Sequence, residues 1–270
     1  MKKILVFLIL IIIILLQSCH KKVIVDKSII PSFFIEQISN YDSYDKNYLY
    51  QYYCAYLDFN SYIYALNYVN HPVFLNNEIA KPALLLNNII LVNRKFYLDA
   101  YTIPTSLIPV QNVKYIKRKN EVMMIDEVTL QNYQKMEIIL KQNNIDIVLF
   151  SAYRSFEKQL SLWDNNRKEN DQFLAKPGFS EHQTGLAIDI GTLNSGLTVH
   201  FENTKAFKFL KNHAHEYGFI LRYPKNKESI TGYAYEPWHF RYVGREVAKI
   251  IYENNLTLEE YFYQYLEIPI

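Results

Sequence analysis

The sequence predicts an α+β fold, in which a small antiparallel sheet carries a metal site and is flanked by helices. Two observations favour this class. Apolar residues at helical spacing come before and between short apolar runs that are typical of strands, and no internal repeat is present. In addition, histidine and acidic residues lie beside two of the predicted strands. We expect a helical N-terminal extension before this α+β part.

Residues 1–19 are predicted to be a lipoprotein signal peptide. Lys2 and Lys3 precede an apolar run, residues 4–16, that is too short to span a bilayer comfortably. The last residue of the run and the three that follow it read Leu-Gln-Ser-Cys, residues 16–19. This sequence resembles a bacterial lipobox, whose cysteine, here Cys19, becomes the lipid-bearing N-terminus. An ordinary signal peptide or an uncleaved anchor also fits this pattern. Each of the three places the rest of the chain outside the cytoplasmic membrane, and the lipobox predicts a lipid anchor in that membrane.

Composition argues against a nucleic-acid-binding protein and against a domain that is stabilised by disulfides. Without Lys2 and Lys3 the formal net charge falls from +2 to zero, whereas nucleic-acid-binding proteins need a basic surface. Cys54 is the only cysteine after Cys19, so the body of the protein has no internal disulfide and must be stabilised by its core.

The chain after the signal peptide is predicted to have two parts. Residues 20–84 form a tether and a helical extension, with two short helices that break near residues 58–60. Residues 85–270 form the domain that carries the chemistry. Its beginning, residues 71–127, contains four of the nine prolines and short β-type runs such as residues 88–92, and is expected to be irregular and poor in strands.

The first half of the domain shows two helical and two strand patterns. In residues 128–143, Leu130, Tyr133, Met136 and Leu140 recur at helical spacing. The other predicted elements are a strand at 145–150, a helix at 155–167 and a strand at 186–190.

The second half ends in a further set of helices and strands. Asn203 is predicted to cap a helix with an apolar face that includes Phe207 and Leu210, and Gly218 follows at the position of a helix stop. Strands are expected at 219–221 and 238–240. Thr257 and Glu260 have the spacing of a capping box before the last helix.

Four residues of this domain form a candidate zinc site. His182 lies before one predicted strand and Asp189 near the end of it, and Glu236 and His239 lie at the start of another. Two imidazoles and one carboxylate supply three zinc ligands, and Glu236 is left as a base for water. A His-x6-Asp spacing alone is a weak signal, and it is the added Glu-x-x-His that indicates zinc hydrolysis of an amide bond.

These residues resemble a known family, the VanY-type zinc D-alanyl-D-alanine and L,D-carboxypeptidases of bacterial cell walls. The pattern Ser-x-His-x-x-Gly-x-Ala-x-Asp at residues 180–189, followed by Glu-x-x-His at 236–239, is complete in this chain. Similar blocks lie at residues 151–159, 217–224 and 231–239. The family belongs to a superfamily with lysostaphin-type peptidases and the Hedgehog signalling domain.

The resemblance implies roles for several residues. It implies that His182, Asp189 and His239 bind zinc, that Glu236 is the general base, and that Arg154 stabilises the oxyanion or grips the substrate carboxylate. The residues that it implies for substrate binding are Gln159, Ser180 and Tyr223. The segment at 160–176 is shorter than in relatives and is polar after Trp163.

The resemblance implies a hydrolase that acts on peptidoglycan, the polymer of the cell wall. We expect a metallopeptidase that removes a C-terminal D-alanine from stem peptides by L,D or D,D cleavage. Two alternatives stay open: an endopeptidase that cuts inside the stem, and a zinc-containing cell-wall binding module without catalysis. Glu236 and Arg154 favour an enzyme, since a pure binding module needs neither.

Overall fold

The computed structural model describes residues 30–41, 44–49, 52, 53, 56, 62, 65, 66, 81–86, 89–100, 102–166 and 172–266. The chain divides into two compact units, Met1–Asn77 and Glu78–Ile270. The predicted signal peptide, Cys19 and Cys54 lie outside the described residues, and so does the predicted helix break at residues 58–60. No helix in the described ranges is both long and apolar enough to cross a bilayer.

The first unit contains a helix, α1 (Ser32–Ile38), and a 3₁₀ turn (Lys46–Tyr48). Phe34 is fully buried, and tyrosine rings surround it. Its ring centroid lies 5.0 Å from that of Tyr53 and 5.4 Å from that of Tyr62. Part of the predicted helical extension therefore has a small aromatic core of its own.

Within the described residues, the second unit contains all the strands and the remaining helices, which are numbered in chain order. The strands are β1 (Lys81–Pro82), β2 (Leu84–Leu86), β3 (Ile89–Leu91), β4 (Phe96–Tyr97), β5 (Leu107–Pro109), β6 (Met124–Asp126), β7 (Val148–Ser151), β8 (Ala187–Gly191), β9 (Phe219–Leu221) and β10 (His239–Tyr242). The helices are α2 (Glu127–Gln142), α3 (Phe156–Asn166), α4 (Lys205–His213), α5 (Glu228–Thr231), α6 (Arg245–Glu253) and α7 (Leu258–Leu266).

The central sheet has the strand order β7-β8-β10-β9, and every neighbouring pair is antiparallel. Helix α2 packs on it through the predicted face: Leu130, Tyr133, Met136 and Leu140 are all buried in the same core cluster as Ile188 and Phe240 of the sheet. The prediction of an α+β fold with a small antiparallel sheet is confirmed.

The prediction that residues 71–127 are poor in strands is wrong. Strands β1 to β6 all lie there and pair as β1 with β4, β2 with β3 and β5 with β6. Each strand has only two or three residues, which is too few to show an alternating pattern in the sequence.

Two predicted boundaries are also wrong, both for local reasons. Strand β7 begins at Val148 rather than at residue 145, because Asn144 (φ 57°) ends the preceding helix and Ile145 N–H still donates to the Leu140 carbonyl. Helix α4 is capped by Thr204, not Asn203, since Thr204 Oγ1 accepts a hydrogen bond from Phe207 N at 3.1 Å.

The other predicted signals at helix ends are confirmed. Gly218 has a φ of 85° and follows the 3₁₀ turn that extends α4. Before α7, Thr257 Oγ1 accepts from Glu260 N at 3.1 Å, and Glu260 Oε2 accepts from Thr257 N at 2.7 Å. Lys227 Nζ also donates to both Glu260 carboxylate oxygens, at 2.8 and 2.9 Å. The two bonds between Thr257 and Glu260 form a reciprocal capping box at the start of α7.

Candidate metal centre

The register of the sheet brings two of the predicted ligands together. Asp189 on β8 and His239 on β10 are directly opposite each other, so their side chains leave the same face of the sheet. His182 comes from a 3₁₀ turn, Glu181–Thr184, just before β8. Gly185 ends this turn with a φ of 72°, and a Cβ there would lie 2.9 Å from Leu107 Cδ2. Glycine adopts this left-handed backbone conformation without strain, which other residues rarely do.

The three side chains meet in a buried cluster. One ligand atom from each of His182, Asp189 and His239 lies within 4.8 Å of the others. His182 Nε2 is 3.2 Å from Asp189 Oδ2, and His239 Nδ1 is 3.1 Å from Asp189 Oδ1. Two imidazole nitrogens and a carboxylate are the donor set that zinc accepts in catalytic sites.

The surroundings of the two imidazoles indicate which ring nitrogens face the metal position. His182 Nδ1 lies 2.6 Å from the Ala152 carbonyl and must donate to it, which leaves the lone pair on Nε2, the atom beside Asp189. In the other ring, Nδ1 of His239 faces Asp189, and Nε2 faces Glu181 Oε2 at 3.5 Å. In each ring the nitrogen beside Asp189 can therefore carry the lone pair, and this is the atom that would bind a metal held by the three side chains.

Electrostatics favour an ionised Asp189 and a neutral His182 at this cluster. Burial by itself would raise the pKa of Asp189, but its interactions with His182 and His239 outweigh burial and hold the pKa below its ordinary value. Burial also lowers the pKa of His182 and so favours the neutral ring that can bind a metal.

Glu236 is placed beside the cluster but does not belong to it. Its backbone N–H donates to the Tyr223 carbonyl at 3.1 Å, and its Oε2 lies 3.6 Å from His239 Nδ1. The side chain is almost completely buried, and burial raises the pKa of Glu236 to about 8. Once ionised, a carboxylate with a raised pKa is a stronger base toward water than an exposed one.

Arg154 also lies close to Asp189. Its guanidinium donates to Gln159 Oε1 at 2.9 Å and to Ser151 Oγ at 3.2 Å, and one of its nitrogens is 3.8 Å from Asp189 Oδ2. The Arg154 backbone N–H donates to the His182 carbonyl at 3.1 Å. The arginine is therefore fixed to the same turn that supplies a ligand.

A cavity of about 270 Å³ opens onto these residues. Its lining contains the three candidate ligands, Glu236 and Arg154, together with Ser180, Tyr223, Tyr233 and Trp238. Two of the predicted substrate-binding residues, Ser180 and Tyr223, thus lie in its wall. The short segment at 160–176 contributes Leu162 and residues 173–175, while its residues 167–171 lie outside the described ranges.

Gln159 does not fit the predicted contact with the substrate. It is 1% exposed and does not line the cavity. Its amide nitrogen donates to the Ala175 carbonyl at 2.6 Å, and its amide oxygen accepts from Arg154. Gln159 orients Arg154 from behind, because both ends of its amide are used within the protein.

The chain matches a known family over this site. Residues 123–245 match the family model VanY, D-alanyl-D-alanine carboxypeptidase. The chain is also 39% identical over 184 residues to the putative carboxypeptidase YodJ of Bacillus subtilis (strain 168), a match that covers 65% of the chain and 67% of that relative. The chain belongs to the VanY family. The resemblance predicted from the motifs is confirmed.

Two solved structures share the fold of this VanY-family chain. The LD-carboxypeptidase LdcB is 35% identical, with a TM-score of 0.61 over 70% of the chain and 97% of the chain in the LdcB structure. The D,D-pentapeptidase VanY from a VanB-type resistance cassette, solved in complex with Zn(II), is 32% identical with a TM-score of 0.51 over 64% of the chain and 97% of that structure. A relative that holds Zn(II) therefore has the fold that in this chain brings His182, Asp189 and His239 together.

Sequence reasoning on this VanY-family chain missed Glu181. Glu181 lies between Ser180 and His182, at a position that the motif leaves unspecified. Its side chain is fully buried, and Arg222 and Arg241 both donate to its Oε1 at 2.8 Å. Nothing in the local sequence shows that the two arginines, about 40 and 60 positions later, converge on it.

Proposed function

We propose that this protein is a zinc-dependent carboxypeptidase that removes a C-terminal D-alanine from peptidoglycan stem peptides. The observation that carries the proposal is the convergence of a three-residue metal site, a base and an arginine on one cavity. His182, Asp189 and His239 would hold the zinc ion. Glu236 and Arg154 line the same cavity as these three ligands.

The proposed reaction is hydrolysis of the amide bond before the terminal D-alanine. Zinc, when bound, supplies a Lewis acid that brings the pKa of a water molecule to about 7. Glu236 accepts a proton from the attacking water and donates it to the leaving amine, as its position and raised pKa allow. The water oxygen forms a bond to the carbonyl carbon, and the carbon–nitrogen bond breaks.

Arg154 supplies the positive charge that such a substrate needs. Its guanidinium is held in place by Gln159 and Ser151, so it is already oriented before substrate binds. It can donate two hydrogen bonds in a fixed fork, either to the terminal carboxylate or to the oxyanion. Tyr223 and Trp238 add aromatic surface to the cavity wall.

We further propose that residues 1–19 are a lipoprotein signal peptide and that Cys19 anchors the protein in the cytoplasmic membrane. The basic start, the short apolar run and the lipobox support this. The anchor would keep the enzyme between membrane and cell wall, where its substrate lies. Mass spectrometry of the protein purified from membranes should show a mature chain that begins at a lipid-modified Cys19, and an unmodified N-terminus at Met1 would contradict it.

The central experiment is hydrolysis of synthetic stem peptides by the full chain in detergent. We expect release of D-alanine from the pentapeptide, the tetrapeptide or both, and this release should stop with a chelator and return with zinc. The ratio of the two rates separates D,D from L,D cleavage. Peptides with an amidated C-terminus serve as the control, since they lack the carboxylate that Arg154 would grip. Absence of D-alanine release from both free peptides would overturn the proposal.

A second cavity favours an endopeptidase as the alternative function. This cavity, of about 590 Å³, shares Arg154 and Leu162 with the first and is also lined by Arg118 and Lys158. A substrate that continues beyond the cleaved bond would have room there. Equal cleavage of the amidated and the free peptides would favour this alternative over the carboxypeptidase.

A binding module without catalysis is the third hypothesis, and the geometry does not favour it. Such a module needs the metal ligands for stability only. It has no use for a buried Glu236 with a raised pKa or for an arginine that is held ready at the cavity wall.

A further inference from the structure

Four buried charges lie next to the candidate metal site, and one of them, Glu181, is among the residues that line its cavity. Glu181 and Glu259 alternate with Arg222 and Arg241, and each side chain is at most 2% exposed. Arg222 Nε donates to Glu181 Oε1 at 2.8 Å, and its two terminal nitrogens donate to both oxygens of Glu259 at 2.8 and 2.5 Å. Two negative and two positive charges balance, which is a condition for stable burial of such a network.

The two oxygens of Glu181 have different surroundings. Oε1 accepts from Arg222 and Arg241, both at 2.8 Å. Oε2 points to His239 Nε2 at 3.5 Å, and within the described part of the chain neither of these two buried atoms has a hydrogen-bond partner. A buried donor and a buried acceptor that face each other in this way need only a small shift of the ring to form a bond.

We infer that Glu181 is a positioning residue for the metal site. It accepts the Nε2 proton of His239, and this fixes the tautomer in which the lone pair lies on Nδ1, beside Asp189. Because Arg222 and Arg241 hold the other oxygen, the carboxylate cannot turn away from the ring. An outer carboxylate of this kind orients a ligand imidazole and increases its affinity for the metal.

The network extends this function to elements outside the segment that matches the family, residues 123–245. Glu259 lies on α7 and accepts a hydrogen bond from Asn93 Nδ2 at 3.0 Å. Arg241 donates to the Ile90 carbonyl at 2.7 Å. Helix α7 and the segment around β3 therefore support the orientation of His239 through Glu259 and the two arginines.

The test is the zinc affinity of the full chain in detergent, measured by competition with a chromophoric chelator. It rests on the proposed zinc site but needs no substrate, so a failure of the proposed peptidase activity would not affect it. For Glu181→Gln we expect a 10- to 100-fold weaker zinc affinity, the usual effect of losing an outer-sphere carboxylate. For Glu259→Gln, one step farther away, we expect a loss of about 3- to 10-fold. The visible absorption of bound Co(II) should change in the same two variants.

The matched control is Glu260→Gln, the next residue of α7. It removes the ion pair with Lys227 but does not touch the network, so zinc affinity should stay within about twofold of the unsubstituted protein. If Glu181→Gln does not fold, Glu259→Gln carries the test alone. Unchanged zinc affinity and Co(II) absorption in Glu259→Gln, or an equal loss in Glu260→Gln, would overturn the inference.

Discussion

Replacement of Glu236 by glutamine should lower kcat for D-alanine release by about 10²- to 10⁴-fold, the usual contribution of a general acid–base group. Glutamine keeps the size and a hydrogen-bonding oxygen, but it cannot accept the proton of the attacking water. Zinc binding should persist, because the three candidate ligands are His182, Asp189 and His239. We also expect no loss of folding stability, since burial already disfavours the charged form of Glu236.

The measurements for this variant are kcat and KM on the better stem peptide and the zinc content of the purified protein. Glu228→Gln is a suitable control, because Glu228 is exposed at the start of α5. It should have normal kcat. Normal turnover in Glu236→Gln would remove Glu236 from the mechanism, and loss of zinc would show that it is a ligand instead of a base.

Replacement of Arg222 by methionine should lower the free energy of unfolding by about 3–5 kcal/mol, the typical cost of breaking a buried ion pair. The side chain of Arg222 is fully buried and neutralises both Glu181 and Glu259. Methionine fills much of the same space but leaves Glu259 as a buried charge with only Asn93 as a described partner. Urea unfolding at neutral pH measures the difference.

The double variant Arg222→Met with Glu259→Leu tests this explanation. It removes the charge that the single variant leaves behind, while Arg241 still neutralises Glu181, so about half or more of the lost stability should return. Lys227→Met is the control for a less buried pair and should cost about 1 kcal/mol or less. If the double variant is less stable than Arg222→Met, the loss comes from packing and not from an unpaired charge.

Local patterns in the sequence were sufficient for several elements of the fold. The apolar face of α2, the glycine stop at Gly218 and the capping box of Thr257 and Glu260 each involve residues within a few positions of one another. Such signals depend on backbone geometry that the nearby residues themselves set. Strands β1, β4, β5 and β6 left no such signal, because each has only two or three residues and is stabilised by pairing with a segment elsewhere in the chain.

The sequence by itself determined the chemistry of this protein: a histidine–aspartate pair, a Glu-x-x-His pair and an arginine, all at family spacing. Only the tertiary structure decided how these groups are held. The register of β8 and β10 sets Asp189 opposite His239, Gln159 holds Arg154 and does not face the cavity, and Glu181 lies behind His239. The reason is physical: the type of a side chain states what it can bind or donate, whereas its partners are chosen by packing between segments far apart in the chain.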